Sequence, residues 1–542
     1  MSEFKQVKFK TKKGNTLAYV LVMVVVIAIT MTSLMSYISS QINFSKDRVE
    51  REKAFQIAEA GAYYYRWYLA HQIAGKNSEQ INDFWQNGNP LGVDAPAQIE
   101  YKDPEGGPIG MYELSVTQPS PGSTIVAVRS TGWTYKKPSA KRIVQVRFRR
   151  PSWSENSVLA NDNMRFGNGT IVTGKMHSNK GIRFDGNANN VVSSSLATYD
   201  DPDHSGGNEF GVHTHVNVPP AIGVNDSYRA SEALPNTPAS RTDVFQAGRV
   251  FPKAQLDFNA IVSDISFMRS QATVKFDNTG SGRHIKLKTD GTMDVCKVNS
   301  FSTTTSGITN YNGITIGATG AYAGTNGSPC SSITNSTVCC NDMTTCNWIN
   351  NSNHNRGKCS TITNYPIPDG GVVFVANNLW LEGTVDEKQV SFVAAELPDE
   401  PGSPTGNKDV FLGMNNLLYA NSNGLSNGTD IIGIIAQRNV EIVRNSQTNL
   451  TIDAALLAKE GRVGRKYYGS SNKSTITVNG SIATNVRYGF AYTGTTYNCG
   501  GGVTVGDGYC FRNINFDNNL LYFPPPYFPT GTEYSIDLWD EL

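Results

Sequence analysis

Polar and apolar positions divide the chain into three regimes. The first is a continuous apolar run. From Leu17 to Ile38 nearly every side chain is hydrophobic, and no charged residue stands between Lys13 and Lys46. That run exceeds the roughly 20 residues needed to cross a bilayer as one helix. No Gly or Pro interrupts the chain between Asn15 and Ala60, so the helix should continue past the membrane. In the continuation Ile38, Ile42, Val49, Ile57, Gly61 and Tyr68 recur at spacings of four, seven or eight. This is the period of a stripe that can seat a β-sheet. The mixed charges from Lys46 to Lys53 read as a wet helix face, or as a contact with neighbouring subunits. The aromatic group Tyr63–Tyr68 reads as core packing of the head.

The second regime is alternation. Residues 71–98 read as connector. Strands are expected over 109–116, 124–132 and 142–148, with turns at Pro119–Gly122 and Lys136–Ser139. Loops this short favour an antiparallel meander. A long helix plus this meander makes a first α+β unit, residues 15–70 and 71–150. In the third regime, beyond Pro151, short strands end in Gly and Asn turns. They return at irregular intervals over 151–240 and again over 369–521. Stacked coils of a parallel β-helix would bury one face of each strand, and a β-sandwich is the alternative. Residues 241–368 interrupt the pattern. A helix is expected from Phe251 to Gln271, with Phe258, Ile261, Ile265 and Met268 on one face, followed by a cysteine-rich insertion. The aromatic, proline-rich end, 522–542, reads as a cap folded back over the domain; a polyproline ligand for a partner is the other reading.

The totals add little chemistry. Across 542 residues the net charge is +1 and 17% of residues are charged, which gives no reason to expect nucleic acid. The cysteines carry more. Cys296, Cys330, Cys339, Cys340, Cys346, Cys359, Cys499 and Cys510 all follow the apolar run. Lys5, Lys8, Lys10, Lys12 and Lys13 should hold the N-terminus in the cytoplasm. The cysteines then face an oxidising compartment, and their even number fits disulfides. Cys499 and Cys510 should close one glycine-rich loop; the other pairings stay open. There is no CxxC, and adjacent Cys339 and Cys340 suit zinc poorly.

A short basic leader ends in Lys12-Lys13-Gly14, and the apolar helix follows at once. A cleaved secretory signal has a shorter apolar core; a plain membrane anchor remains an alternative. The arrangement resembles the class III leader of type IV pilins and pseudopilins. In addition, Ala54-Phe55-Gln56-Ile57-Ala58-Glu59-Ala60-Gly61 resembles the AFxxAEAG segment of PilX-type minor pilins, and looser likenesses occur at 174–181 and 453–458. The resemblance implies cleavage by a prepilin peptidase between Gly14 and Asn15, with Tyr19 and Glu59 on the helix that packs in a filament. It also implies other pilins, minor pilins and an inner-membrane assembly platform as partners. Major pilins carry Glu at the fifth mature position, which here is Tyr19. A carboxylate in the bilayer costs about 2.5–3.5 kcal/mol and is tolerated there because it pairs with the next subunit's amine. A subunit without it suits the end assembled first. The function expected is that of a tip or priming minor pilin acting in pilus assembly and surface adhesion. It would be anchored in the inner membrane before assembly and lie outside the cell afterwards. A pseudopilin, an anchored β-helix adhesin and a polysaccharide-acting enzyme are the alternatives.

Enzymatic motifs do not support the last of these: there is no P-loop and no HExxH. His177 beside Ser178 is not a nucleophile pair, because adjacent strand residues point to opposite faces. His213 and His215 share a strand face, with Asp200, Asp201, Asp203 and His204 nearby. No metal or other cofactor is assigned. Asp200, Asp201, Asp203, His213 and His215 stand as metal candidates, structural calcium among the options, although the spacing is not that of an EF-hand. A surface or glycan ligand is the remaining expected partner.

Overall fold

The computed structural model describes residues 16–120, 123–258, 262–311, 314–315, 363–398, 407–420, 428–469, 471–531 and 533–542. Helix α1, Thr16–Ile73, is continuous over 58 residues. Every residue from 16 to 46 is exposed, and this part is long and apolar enough to cross a membrane. Two hydroxyls inside it are satisfied by the helix itself: Thr30 donates to the Ile27 carbonyl at 2.9 Å and Thr32 to the Ala28 carbonyl at 2.7 Å. Such back-bonding suits a medium without water.

Burial begins only at Ala54. Ile38, Ile42 and Val49 of the expected stripe are exposed, whereas Ile57 and Gly61 are buried. The seat is a five-stranded antiparallel sheet of β1 (Ala97–Lys102), β2 (Pro108–Thr117), β3 (Ile125–Thr134), β4 (Lys137–Arg149) and a last strand, Ser535–Glu541. Tyr65 and Leu69 of α1 pack on Leu114, Val128 and Val146 of the sheet. The expected connector contains α2, Ser78–Gln86, which buries Ile81, Phe84 and Trp85. Its N-terminus is closed by a reciprocal capping box between Asn77 and Gln80. The mixed-charge run is only partly solvated: Thr134 donates to Glu50 at 2.6 Å, and Lys137 pairs with Asp47.

Most of the remaining strands join one 24-stranded sheet built largely of parallel ladders, with antiparallel pairings at Gly282–Leu287/Thr292–Phe301 and at Ala491–Gly500/Val503–Phe516; a three-stranded parallel sheet and a two-stranded antiparallel one complete the described strands. One ladder runs through Val274–Phe276, Gly371–Val375, Gln389–Ala394, Ile431–Ala436, Asn449–Ala458 and Lys473–Thr484. It continues through Val158–Ala160, Met176–Ser178, Val192–Ser194 and Arg249–Val250. Ile434, Ile452, Val478 and Ile514 fill the interior. On another face Asp453, Asn479, Asn515 and Thr173 lie in register on successive turns. Asn479 donates to Asp453 at 2.8 Å and Asn515 to Asn479 at 2.9 Å.

The winding is out of chain order. The segment after Pro151 starts in the middle of the stack and climbs to one end at Arg249–Val250. The chain then passes through α3 (Val262–Gln271) to the opposite end and winds back until Ile482 pairs with Val158. The helix expected from Phe251 is shorter, Val262–Gln271, and residues 251–257 are not helical; Phe258, ahead of the helix, still joins Ile265 and Met268 in one apolar cluster, while Ile261 lies outside the described residues. Within the expected insertion, Val274–Phe276 and Gly282–Leu287 pair in parallel with the stack, and Thr292–Phe301 folds back antiparallel on Gly282–Leu287. The C-terminal region divides. Pro525 and Phe528 lie over Gly433, and Ser391 donates to the Pro526 carbonyl at 2.5 Å, so this part covers the stack. Ser535–Glu541 instead returns to β4. At this neck Trp153 donates to the Pro529 carbonyl at 3.0 Å and Gly531 to the Pro151 carbonyl at 2.8 Å.

Candidate functional site

Helix α1 meets its sheet through small residues. A Cβ on Gly132 of β3 would stand 2.3 Å from the Ala54 carbonyl oxygen and 2.4 Å from the Ala58 nitrogen. A Cβ on Gly61 would stand 2.3 Å from Ser130 Oγ. Ala54, Ala58, Gly61 and Gly132 thus let the two backbones touch. Tyr19 is 68% exposed and Glu59 is half-buried, both on the surface α1 offers. Gly14 and Asn15 lie outside the described residues.

Cys499 and Cys510 form a disulfide across the hairpin of Ala491–Gly500 and Val503–Phe516. Cys296 is buried beside Trp380. Cys330, Cys339, Cys340, Cys346 and Cys359 lie outside the described residues.

The candidate metal residues separate into two groups. Asp200 is exposed, and Asp203 faces outward to Arg487, whose Nη1 donates to it at 3.1 Å. Asp201, His213 and His215 converge, joined by His204 and by Glu209, which sequence reading missed. Local structure explains the convergence. Val212–His213 pairs in parallel with Ile182–Phe184, while Glu209–Phe210 pairs antiparallel with Thr198–Tyr199. The hairpin returns Asp201 and His204 over His213, at the end of its strand, and His215 just beyond it. Glu209 Oε2 lies 2.9 Å from His204 Nε2 and 2.6 Å from His213 Nε2; Glu209 Oε1 lies 3.1 Å from His215 Nε2. Asp201 Oδ2 is 3.5 Å from His213 Nε2 and 3.6 Å from His204 Nε2.

A buried frame holds the group. Asp185 accepts the His215 amide at 2.8 Å and the Arg183 Nε–H at 2.7 Å. His215 Nδ1 lies 3.0 Å from the Asn225 carbonyl oxygen. Burial raises the Asp201 carboxyl, but the nearby His213 imidazole, the hydrogen bond from the Asp203 amide and the charge of Arg183 outweigh it and hold the carboxyl down to about 2. Glu209 is likewise held well below the usual range: burial opposes ionisation, and the three neighbouring imidazoles, His204 and His215 by hydrogen bonds, overcome it. Burial lowers His213, yet Asp201 and Glu209 raise it on balance. His177 and Ser178 do not face each other. His177 lies 3.0 Å from Ser193 Oγ, and Ser178 donates to the Asp162 carbonyl at 2.8 Å.

Beside the cluster an open cleft of about 550 Å³ is lined by Arg165, Arg487, Tyr488 and Tyr492, with Asp203 and Asp226 on the cluster side. Arg183 connects the two sites, donating to Asp226 at 2.5 Å.

No family model and no curated protein matches the sequence. Among solved structures, the chain is similar to the competence-associated pilin ComZ from Thermus thermophilus, at 14% identity over 91% of this chain and 98% of that one, with a TM-score of 0.29. A likeness at that score carries no argument for fold or function.

Proposed function

We propose that the chain is a minor pilin of the PilX-like kind, placed at the tip or in the priming complex of a type IV pilus, where it takes part in assembly and surface adhesion. The observation that carries the reading is the division of α1. Its first half is uncharged and wholly exposed, fit for lipid or for neighbouring helices, and its second half is clamped by small residues onto an antiparallel sheet. The class III leader ending at Gly14 and the missing carboxylate at Tyr19 support it. The stacked parallel ladders are read as a parallel β-helix, hung from the edge of that sheet. Such a bulky body suits an end position better than the interior of a shaft. The cleft, with aromatic, cationic and carboxylate side chains together, is the natural place for a glycan or surface ligand. The role is structural and adhesive rather than enzymatic.

Sequencing the N-terminus of protein recovered from sheared filaments tests the reading. A start at Asn15 supports it, and gold-labelled antibody against the body should mark filament ends. Protein retaining its lysine-rich leader, or label spread along the shaft, overturns it. Turnover of polysaccharide by the purified chain would favour the enzyme alternative.

A further inference from the structure

We propose that Asp201, His204, Glu209, His213 and His215 form a binding site for one divalent first-row transition-metal ion of the zinc type. The inference is independent of the pilus reading.

Geometry is the first argument. One ligand atom from each of the five residues lies within 4.8 Å of all the others. Ligands about 2.1 Å from a common ion stand about 3.0 Å apart when mutually cis and about 4.2 Å apart when trans. The nitrogen–oxygen separations here, 2.6 to 3.6 Å, bracket the cis value, so small side-chain shifts bring these atoms onto one centre.

The second argument is the shortage of hydrogen-bond partners. His213 Nε2 and Asp201 Oδ2 belong to side chains 0% and 2% exposed, yet neither makes a hydrogen bond. His213 Nε2 approaches Glu209 at 2.6 Å without the direction of a hydrogen bond. Buried polar atoms left this way are costly. Three imidazole Nε2 atoms crowd one carboxylate, and to satisfy them by protonation alone would place several cations in a buried pocket. A single ion accepts all three lone pairs and both carboxylates. The two carboxylates also balance a dication when the imidazoles are neutral. Arg183, 3.8 Å from Asp201, is itself paired with Asp185 and Asp226.

The third argument is orientation. The Asn225 carbonyl lies against His215 Nδ1, which leaves Nε2 free to ligate. The Asp203 amide donates to Asp201 Oδ1 at 3.0 Å and leaves Oδ2 turned inward. Three nitrogens in the set select a borderline metal over calcium or magnesium, which take oxygen ligands. Bound there, the ion would staple the 200–208 loop to the strand beneath it. It would thereby set the position of Asp203, which pairs with Arg487 across the cleft.

The test uses the full chain, purified in detergent without a polyhistidine tag. Metal analysis should find about one transition-metal ion per chain. After chelator stripping, zinc titration should restore one equivalent and raise the melting temperature by several degrees. Cobalt(II) should give the visible bands of an ion bound by nitrogen and oxygen. Glu209→Gln should weaken zinc affinity at least tenfold and change the cobalt spectrum, and His204→Gln should do the same if the first variant does not fold. A stripped wild-type chain that takes up no zinc and melts identically with and without it overturns the proposal. So does binding of calcium alone, or zinc binding unchanged in both variants.

Discussion

Gly132→Ala tests the contact between helix and sheet directly. The added methyl would sit 2.3 Å from the Ala54 carbonyl oxygen, 2.4 Å from the Ala58 nitrogen and 2.9 Å from the Ala58 Cα. All three are backbone atoms of α1, so no side chain can rotate aside. Ordinary contact begins near 3.4 Å; the helix must therefore lift by about 1 Å. Overpacking of this kind costs about 1–3 kcal/mol. A gap of that width also forfeits about a quarter to a half of each dispersion contact it opens. Here the contacts at risk are those of Ile57, Tyr65 and Leu69 with Leu114, Val128 and Val146. At least about 2 kcal/mol should be lost. For a unit of roughly 100 residues that lowers the melting temperature by about 8 °C or more. The assay is thermal unfolding of the full chain in detergent, with hydrogen exchange read on residues 54–73. Gly531→Ala, whose methyl would meet nothing nearer than 3.7 Å, serves as the control. If Gly132→Ala melts with the control and exchange over 54–73 is unchanged, the close-contact argument is wrong.

Two further outcomes follow from buried charge. Burial raises the Asp453 carboxyl to about 6 despite its bonds to Asn479 and the Tyr419 amide. A raised folded-state value means stability that is present below about pH 4 and lost as the pH rises through 6, worth about 3 kcal/mol. Asp453→Asn should flatten that part of the profile of denaturant stability between pH 4 and 7. Asp264, also raised to about 6 by burial, should leave a residual slope in the variant, and a wild-type–variant difference independent of pH would refute the assignment. Separately, Asp537 accepts from Arg147 at 2.9 and 3.0 Å and lies 3.4 Å from Arg149. Asp537→Ala should cost about 1.5–3 kcal/mol and make 535–542 the first segment cut in limited proteolysis; cutting no faster than in wild type would count against it.

Helix α1 was legible because its signal is local: an uncharged run without Gly or Pro dictates one helix. Alternation likewise located β2, β3 and β4. The stripe misled at its upper end because Ile38, Ile42 and Val49 have the period of a seated helix but lie beyond the sheet's reach. Small residues at Ala54, Ala58 and Gly61 marked the true seat. Helix α2 was readable in Asn77-x-x-Gln80 and the spacing of Ile81, Phe84 and Trp85, and its shortness hid it. The period-two pattern of Ile536 and Leu538 marked a strand that proline-rich neighbours disguised as a cap. Glu209 carried no signal, since only the hairpin pairing Tyr199 with Glu209 brings it to the imidazoles. Nothing local announces that Ile482 pairs with Val158, because ladder order is set by how stacked turns bury one another and not by sequence distance.

Because β4 and Ser535–Glu541 lie side by side, the body enters and leaves through paired strands. Tension on α1 therefore reaches the body along one covalent thread, with a second strand hydrogen-bonded beside it. A nick before Ser535 leaves the body on the covalent thread, whereas a nick just after β4 leaves it held only by the pairing of Ser535–Glu541 with β4 and the Asp537–Arg147 contact.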